Sequence, residues 1–199
     1  MALATLFGLA YGSTSIAASG TGVDPTAAAQ ACAAGRPVTA TLGAGDVRYL
    51  RRLAACVLRE ERSQLGLRYT QDHQLSRGVR AALNEFVTLA YWKNRDLKAA
   101  ARTEKLVADT LAAAVCHANR GFQAQSGWAD TSPPALTPRG IAIELATMLR
   151  SPKVPMRSPR AVFGVASRRG LLFEKNDPNG ADLGIVVVTC PSGSIPAGG

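Results

Sequence analysis

The sequence is poor in the residues and motifs that build metal sites and catalytic sites. It holds only two histidines, and its four cysteines include no C-x-x-C pair, which argues against a zinc ribbon and a thioredoxin-type redox motif. It also lacks G-x-S-x-G, H-E-x-x-H and a phosphate-cradling glycine loop. We therefore expect no metal and no cofactor, and no motif supports an enzymatic activity.

Long apolar runs are also missing, and none approaches the ~20 residues that span a bilayer, so we expect no transmembrane anchor. The apolar run at residues 2–11 instead suits the core of a signal peptide, with cleavage after Ala17 or Ser19. Because the first basic residue is Arg36, we expect this leader, residues 1–19, to lack part of its n-region. The alternative is a disordered Ala/Gly/Ser-rich tail. A leader implies a secreted, extracellular protein.

If the chain is exported, we expect its cysteines to form disulfides. The four are Cys32, Cys56, Cys116 and Cys190. Three pairings can be drawn and the sequence alone does not choose among them; we favour Cys32–Cys56 with Cys116–Cys190. The alternative is a set of buried free thiols.

The chain is basic, with 23 Lys and Arg against 14 Asp and Glu and a net charge of +9 spread along its length. A basic surface attracts anionic lipid, acidic cell-wall polymers and nucleic acid, and export makes nucleic acid the least expected partner. The alternative is that the arginines reflect genome composition and are simply solvated on helix faces.

Apolar residues recur at helical spacing in four segments. The predicted helices run from near Asp46 to a stop at Gly66, from a cap at Asp72 to Trp92, within 98–116, and from Thr137-Pro138 to Ser151. The third is expected to have an apolar face made of Leu106, Thr110, Leu111, Ala114 and Val115.

The C-terminal part changes to a strand-like period. RAVFGVAS, LLFEK and LGIVVVTC are short runs separated by turn residues, which predicts a C-terminal antiparallel β-meander and an α+β fold. We expect an extended lead-in over 20–45, a single domain over 46–191 with a loop at 117–136, and a flexible tail over 192–199.

These fragments, in this order, resemble the CAP superfamily (cysteine-rich secretory proteins, antigen 5 and pathogenesis-related 1) in its short bacterial SCP-like form. CVLREERSQLGL at 56–67 is similar to the family's C-L-x-N-x-x-R-x-x-x-G-L opening, with Arg62 and Gly66 kept. VRAALNEF, TPRGIAIELATMLRSP and PRAVFGVASRRG resemble later family segments, with Met148 where Trp is usual. The resemblance implies an α-β-α sandwich.

The family is known for a cleft lined by two histidines and two acidic residues, a donor set that can share a divalent cation. The resemblance places Asn94 at the first histidine, Gln123 or Gln125 at an acidic position, and Val154 at the second histidine. Because amide and aliphatic side chains do not ionise near pH 7, the implied cleft is degenerate, with no catalytic residue.

Aromatic side chains are expected to line part of this vacated cleft, Trp92 and Trp128 among them, and filling of the core is the alternative. The implied function is a secreted, non-catalytic binding or structural module, with a lipid or cell-envelope polymer as ligand.

Two other functions stay open. One is a component of an extracellular assembly, contacted through the lead-in and the PSGSIPAGG tail. The other is a hydrolase with an atypical site, which requires His73 or His117 to meet Glu144 or an aspartate.

Overall fold

A computed structural model describes residues 25–37, 40–86, 97–130, 137–169 and 180–192. Their elements are α1 (Pro25–Ala33), a 3-10 turn (Ala44–Asp46), α2 (Val47–Gln64), α3 (His73–Phe86), α4 (Leu97–Cys116), β1 (Gln123–Asp130), α5 (Pro138–Leu149), β2 (Ala161–Arg169) and β3 (Ala181–Thr189). The α+β class is thereby confirmed. Every helix among these residues is either too short or too polar to span a bilayer.

The predicted helix ends are confirmed where the chain is described. After α2, the Gly66 N–H donates to the Ser63 carbonyl and the Leu67 N–H to the Arg62 carbonyl, a Schellman ending that requires the φ of 69° that Gly66 adopts. The Asp72 carboxylate accepts from the Leu75 N–H at 2.6 Å and caps α3.

The other two helix predictions hold in the same way. At the start of α5, the Thr137 hydroxyl accepts from the Gly140 N–H at 3.1 Å, and Pro138 occupies the first turn. The predicted helix within 98–116 is α4. The part of the second helix that we predict beyond Phe86, as far as Trp92, lies outside the described residues.

The prediction of an extended lead-in over 20–45 is wrong for part of this segment. Pro25–Ala33 is helical, with the sequence PTAAAQACA. Proline is pre-organised for a first turn and alanine is the strongest helix former, and Cys32 ties this helix to α2 through a disulfide. The prediction gave too much weight to the small, polar residues around it.

The predicted apolar face of α4 is right at Val115, which is buried, and at Leu111, which packs against the core, and wrong at its other three residues. Leu106 is 66% exposed, and Thr110 and Ala114 are exposed as well. The buried side chains are Ala108, Ala112, Val115 and Cys116. Alanines allow the helix axis to approach the sheet closely, so burial here follows fit to the neighbouring surface and not side-chain hydrophobicity alone.

The sheet has the order β1-β3-β2, with both pairs antiparallel. RAVFGVAS and LGIVVVTC are confirmed as strands β2 and β3, whereas LLFEK lies outside the described residues. The prediction of a loop over 117–136 is wrong, because 123–130 form the edge strand β1. Its sequence, QAQSGWAD, has no β-branched residue and little apolar alternation, and its pairing with β3 is what makes it a strand.

The sheet lies between two layers of helices, as the predicted α-β-α sandwich requires. Alternate residues of β3 face opposite sides: Ile185 and Val187 pack with α1, α2 and α5, whereas Val186 and Val188 pack with α3 and α4. Because both faces are covered, β3 is buried along almost its whole length, which is why it reads as a continuous apolar run.

The favoured cysteine pairing is confirmed. Cys32–Cys56 joins α1 to α2, and Cys116–Cys190 joins the end of α4 to the residue after β3. The first bridge is half-buried and the second is buried. Each bridge therefore ties a helix to a neighbouring element within its own layer or against the sheet.

The two disulfides should differ in accessibility and in their effect on stability. Their sequence separations of 24 and 74 correspond to about 3.5 and about 4.5 kcal/mol in the chain-entropy treatment. We expect mild reductant to open Cys32–Cys56 first, as measured by alkylation and mass spectrometry, and the Cys116→Ala/Cys190→Ala variant to be the less stable in urea unfolding. Simultaneous reduction of both bridges would contradict the first expectation.

Candidate functional site

Two consecutive charged residues near the end of α2 are buried and hold the segment that follows α5. Glu61 is 6% exposed and Arg62 only 1%. The Glu61 carboxylate accepts a two-pronged contact from Arg150, with Nε at 2.9 Å and an Nη at 2.8 Å, a geometry that only arginine offers. This pair fixes the C-terminal end of α5 against α2.

The Arg62 guanidinium connects two further segments through backbone carbonyls. Its Nε donates to the Arg68 carbonyl at 2.8 Å, and one Nη donates to the carbonyls of Met156 and Ser158 at 2.5 and 2.7 Å. Its carbon also lies 5.5 Å from the centroid of the Phe163 ring, within the range of a cation–π contact. The Arg62 side chain thus holds residue 68 and residues 156–158 together.

Burial lowers the pKa of the Arg62 guanidinium below its usual value, because removal of water disfavours the charged form. Carbonyl dipoles take the place of that water and the group stays protonated at neutral pH. Its donors are directed at the protein's own backbone. Arg62 therefore acts as an internal brace that, together with the Glu61–Arg150 pair, positions the segment from Arg150 to Ser158.

Val154 lies inside this braced segment. Its side chain is 8% exposed and belongs to the aliphatic core that also contains Met156, Leu149 and Val187. Its N–H donates to the Ser151 carbonyl in a tight turn. The position that the resemblance assigns to a ligand histidine is therefore occupied by a core residue.

The two candidate glutamines lie on β1. Gln123 is exposed and pairs with Thr189, whereas Gln125 is half-buried and pairs with Val187. The Gln125 amide donates to the Ser126 carbonyl at 3.2 Å. Since residues two apart share a sheet face, both glutamines lie on the face that carries Gly127 and the α2–α5 layer.

Gly127 shows how closely α5 approaches this face. A Cβ added there would lie 1.9 Å from the Met148 sulfur, so only glycine leaves room for the methionine. Gln125 and Val154 are consequently on the same side of the sheet: Gln125 pairs with Val187, and Val154 belongs to the core cluster that contains Val187. Trp128 pairs its backbone with Gly184. Its side chain, and all of Trp92 and Asn94, lie outside the described residues.

A polar network that the sequence patterns do not reveal connects α3 to β2. The Tyr69 hydroxyl donates to the Gln71 side-chain oxygen at 3.1 Å, and the Gln71 amide donates to the Ser76 hydroxyl at 3.3 Å. Ser76 in turn donates to the Asp72 carbonyl at 2.7 Å and accepts from the Val165 N–H at 3.2 Å. Its side-chain bonds join residues only two to five apart but follow no known motif, and its bond to Val165 requires β2.

The chemistry of this network is that of neutral hydrogen bonds. Burial raises the pKa of the Tyr69 phenol to about 12, although the nearby Arg59 charge acts in the opposite direction. The Tyr69 ring also packs on Phe163, with centroids 5.2 Å apart. The Ser76 oxygen is engaged by two backbone groups and a side-chain amide, so it is a structural hydroxyl.

The two histidines lie apart from this region. His73 is the exposed first residue of α3, and His117 is exposed just after α4 with a φ of 48°. Among the described residues neither imidazole contacts a carboxylate, and Glu144 lies half-buried on α5. No cluster of three or more His, Cys, Asp or Glu side chains suited to a metal occurs in that part of the chain.

Compared with models of known protein families, with curated proteins and with solved structures, the chain matches none.

Replacement of Arg62 by lysine should destabilise the protein far more than the same change at Arg59, which is exposed on the same helix. A lysine ammonium keeps the charge but cannot reach the carbonyls of both segments, and each unpaired buried acceptor costs about 1–3 kcal/mol. We expect Arg62→Lys to lower the free energy of unfolding by about 3 kcal/mol and Arg59→Lys by less than about 0.5 kcal/mol. Urea denaturation measures both, and equal losses would show that Arg62 is not a brace.

Tyr69 should make the stability fall at alkaline pH. The folded chain keeps the phenol protonated up to about pH 12, whereas an unperturbed tyrosine has a pKa of 10.0. Between these values the folded state binds more protons than the unfolded state, so stability is lost as the pH rises. Ultraviolet titration of tyrosinate should show a component with a midpoint near 12 that disappears in Tyr69→Phe; an unchanged titration in this variant would contradict the assignment.

Proposed function

We propose that this protein is an exported, non-catalytic CAP-like domain that binds a lipid or polymer of the cell envelope. The α-β-α layering is the arrangement that the resemblance implies. The two disulfides agree with an oxidising compartment, since such bonds are rare in reducing ones. Export, membership of the CAP superfamily and the ligand are all part of the proposal.

One observation carries the non-catalytic part of the proposal, namely the burial of Val154 in the aliphatic core. A position that supplies a metal ligand or a general base must present a nitrogen or an oxygen to the cleft. Val154 presents methyl groups, and the turn that carries it is held by Arg62. Restoring an imidazole there would place a polar ring among apolar side chains, at a cost in stability.

The amide at Gln125 supports the same conclusion. An amide neither ionises near pH 7 nor supplies the negative charge that a divalent cation favours. Its Nε2 already donates to the Ser126 carbonyl. If this sheet face forms part of a pocket, its chemistry is neutral recognition through hydrogen bonds and apolar contact.

The binding part of the proposal is supported by charge. The chain carries a net charge of +9, and several described acidic side chains are engaged within the protein: Asp46 with Arg36, Glu61 with Arg150, Asp109 with Lys105 and Asp182 with Arg168. Most of the described arginines are exposed and take no part in these pairs, so an anionic envelope component would meet them at the surface.

Two measurements on the disulfide-bonded protein test this function. Calorimetric titration with zinc should give no binding in the micromolar range, because the expected donor set is replaced. The protein should sediment with envelopes prepared from the cells that make it, and release from them should increase with salt, because the attraction is electrostatic.

Micromolar zinc binding would overturn the claim that the family's polar site is vacant. A protein that stays in the supernatant with whole envelopes at low salt would overturn the binding function. Concentration-dependent self-association without envelope binding would instead favour an assembly component.

A further inference from the structure

The outward side of α2 carries an ordered row of arginines. At 100° per residue, Arg48, Arg52 and Arg59 fall within about 40° of one another on the helix surface and extend over about 16 Å of its length. All three are exposed. The opposite side of the helix, which includes Leu50, Val57 and Leu58, is in the core.

Two further arginines lie on the segments that Arg62 holds. Arg68 and Arg157 are exposed, and the carbonyls of Arg68 and of both neighbours of Arg157 accept from Arg62. Arg51 lies on the Arg62 side of α2, by helical spacing. We call this surface the arginine face and define it as Arg48, Arg51, Arg52, Arg59, Arg68 and Arg157.

Few acidic residues accompany the arginine face. The segments 62–71 and 150–169 contain no Asp or Glu. Glu61 forms an ion pair with Arg150, and Asp46 forms one with Arg36. By helical spacing, Glu60 lies on the flank of α2 that carries Cys56 and faces α1. Within the described part of the chain, the guanidinium groups of this face make no ion pair.

We propose that the arginine face docks onto a phosphate-bearing, anionic lipid bilayer, an inference that rests on the proposed envelope-binding function. Guanidinium groups pair with phosphate through two parallel hydrogen bonds, and basic residues near an anionic surface each add to its attraction.

The setting of α2 favours a flat partner over a groove. On one flank, α1 is held beside it by Cys32–Cys56 and by Arg36, whose guanidinium lies 4.2 Å from the centroid of the Tyr49 ring. On the other flank lies the segment gripped by Arg62. A helix flanked on both sides offers one face, which suits a flat membrane better than a DNA major groove, where a recognition helix is inserted.

The experiment compares two triple variants of the full chain with intact disulfides. Arg48→Gln/Arg52→Gln/Arg59→Gln removes the row, and Arg77→Gln/Arg80→Gln/Arg102→Gln makes the same charge change at exposed positions of α3 and α4. Each is titrated into vesicles of phosphatidylcholine alone and of phosphatidylcholine with phosphatidylglycerol. Thermal unfolding verifies that both variants fold.

We expect the native chain to bind the anionic vesicles and not the neutral ones, with affinity falling as salt rises. Loss of the row should weaken binding roughly a hundredfold, since each arginine near the surface contributes roughly fivefold. The control triple variant should lose less than about fivefold, because its charges lie in the opposite layer and are screened within about a Debye length.

Equal losses in the two triple variants would overturn the proposal in favour of diffuse charge. Row-dependent binding to duplex DNA or to an anionic wall polymer, without binding to vesicles, would overturn the bilayer as partner. If vesicle binding fails while the protein still sediments with whole envelopes, this inference falls and the proposed function stands; if both fail, both fall.

Discussion

Among the described residues, the arrangement of α2 depends on one buried cation, the guanidinium of Arg62. A charge without water is costly unless polar groups replace its hydration, and here three backbone carbonyls do so. Those carbonyls come from two segments far apart in sequence. Folding can bury Arg62 only if residues 68 and 156–158 arrive together, so the requirement to solvate one side chain fixes the relation of α2 to the rest of the chain.

Both segments continue directly into the sheet. From Arg68 the chain runs to Thr70 and Asp72, whose carbonyl and N–H bond to the backbone of Phe163. Asp72 then caps α3 and brings Ser76 to Val165. From Ser158, three residues lead to the start of β2 at Ala161. Both segments that Arg62 holds therefore lead to β2. Residues 70–72 form backbone hydrogen bonds with Phe163 of β2 and lead into α3, and the chain after Ser158 leads into β2 itself.

Features specified by neighbouring residues could be predicted from the sequence, and features specified by distant partners could not. The cap at Asp72, the Gly66 ending of α2 and the Thr137-Pro138 start are local chemistry, and they are found as predicted. β1 has no such local signal, since its hydrogen bonds come from β3. On α4, Val115 and Leu111 face the core as predicted, but the prediction chose Leu106, which is exposed, over Ala108, which is buried, because leucine is the more apolar side chain.

In the candidate site, too, the sequence identifies residues but not the roles that depend on distant partners. Comparison of short fragments identifies Arg62, yet its role follows only from the carbonyls around it. Val154 could be aligned with a ligand position, but its burial depends on core residues from α5 and β3. The bonds among Tyr69, Gln71 and Ser76 are local but follow no known motif, and the bond from Val165 to Ser76 requires β2.

The distribution of charge on the surface also depends on the three-dimensional placement of the acidic residues. This distribution distinguishes the protein from one that is merely rich in arginine. A composition with net charge +9 would give a mixed surface if acids and bases alternated on it. Here Glu61, Asp72 and Asp182 are buried and bonded to groups within the fold. They stabilise the interior and cannot neutralise Arg48, Arg52 or Arg59. Because these acids are engaged inside the fold, the outer side of α2 stays positively charged.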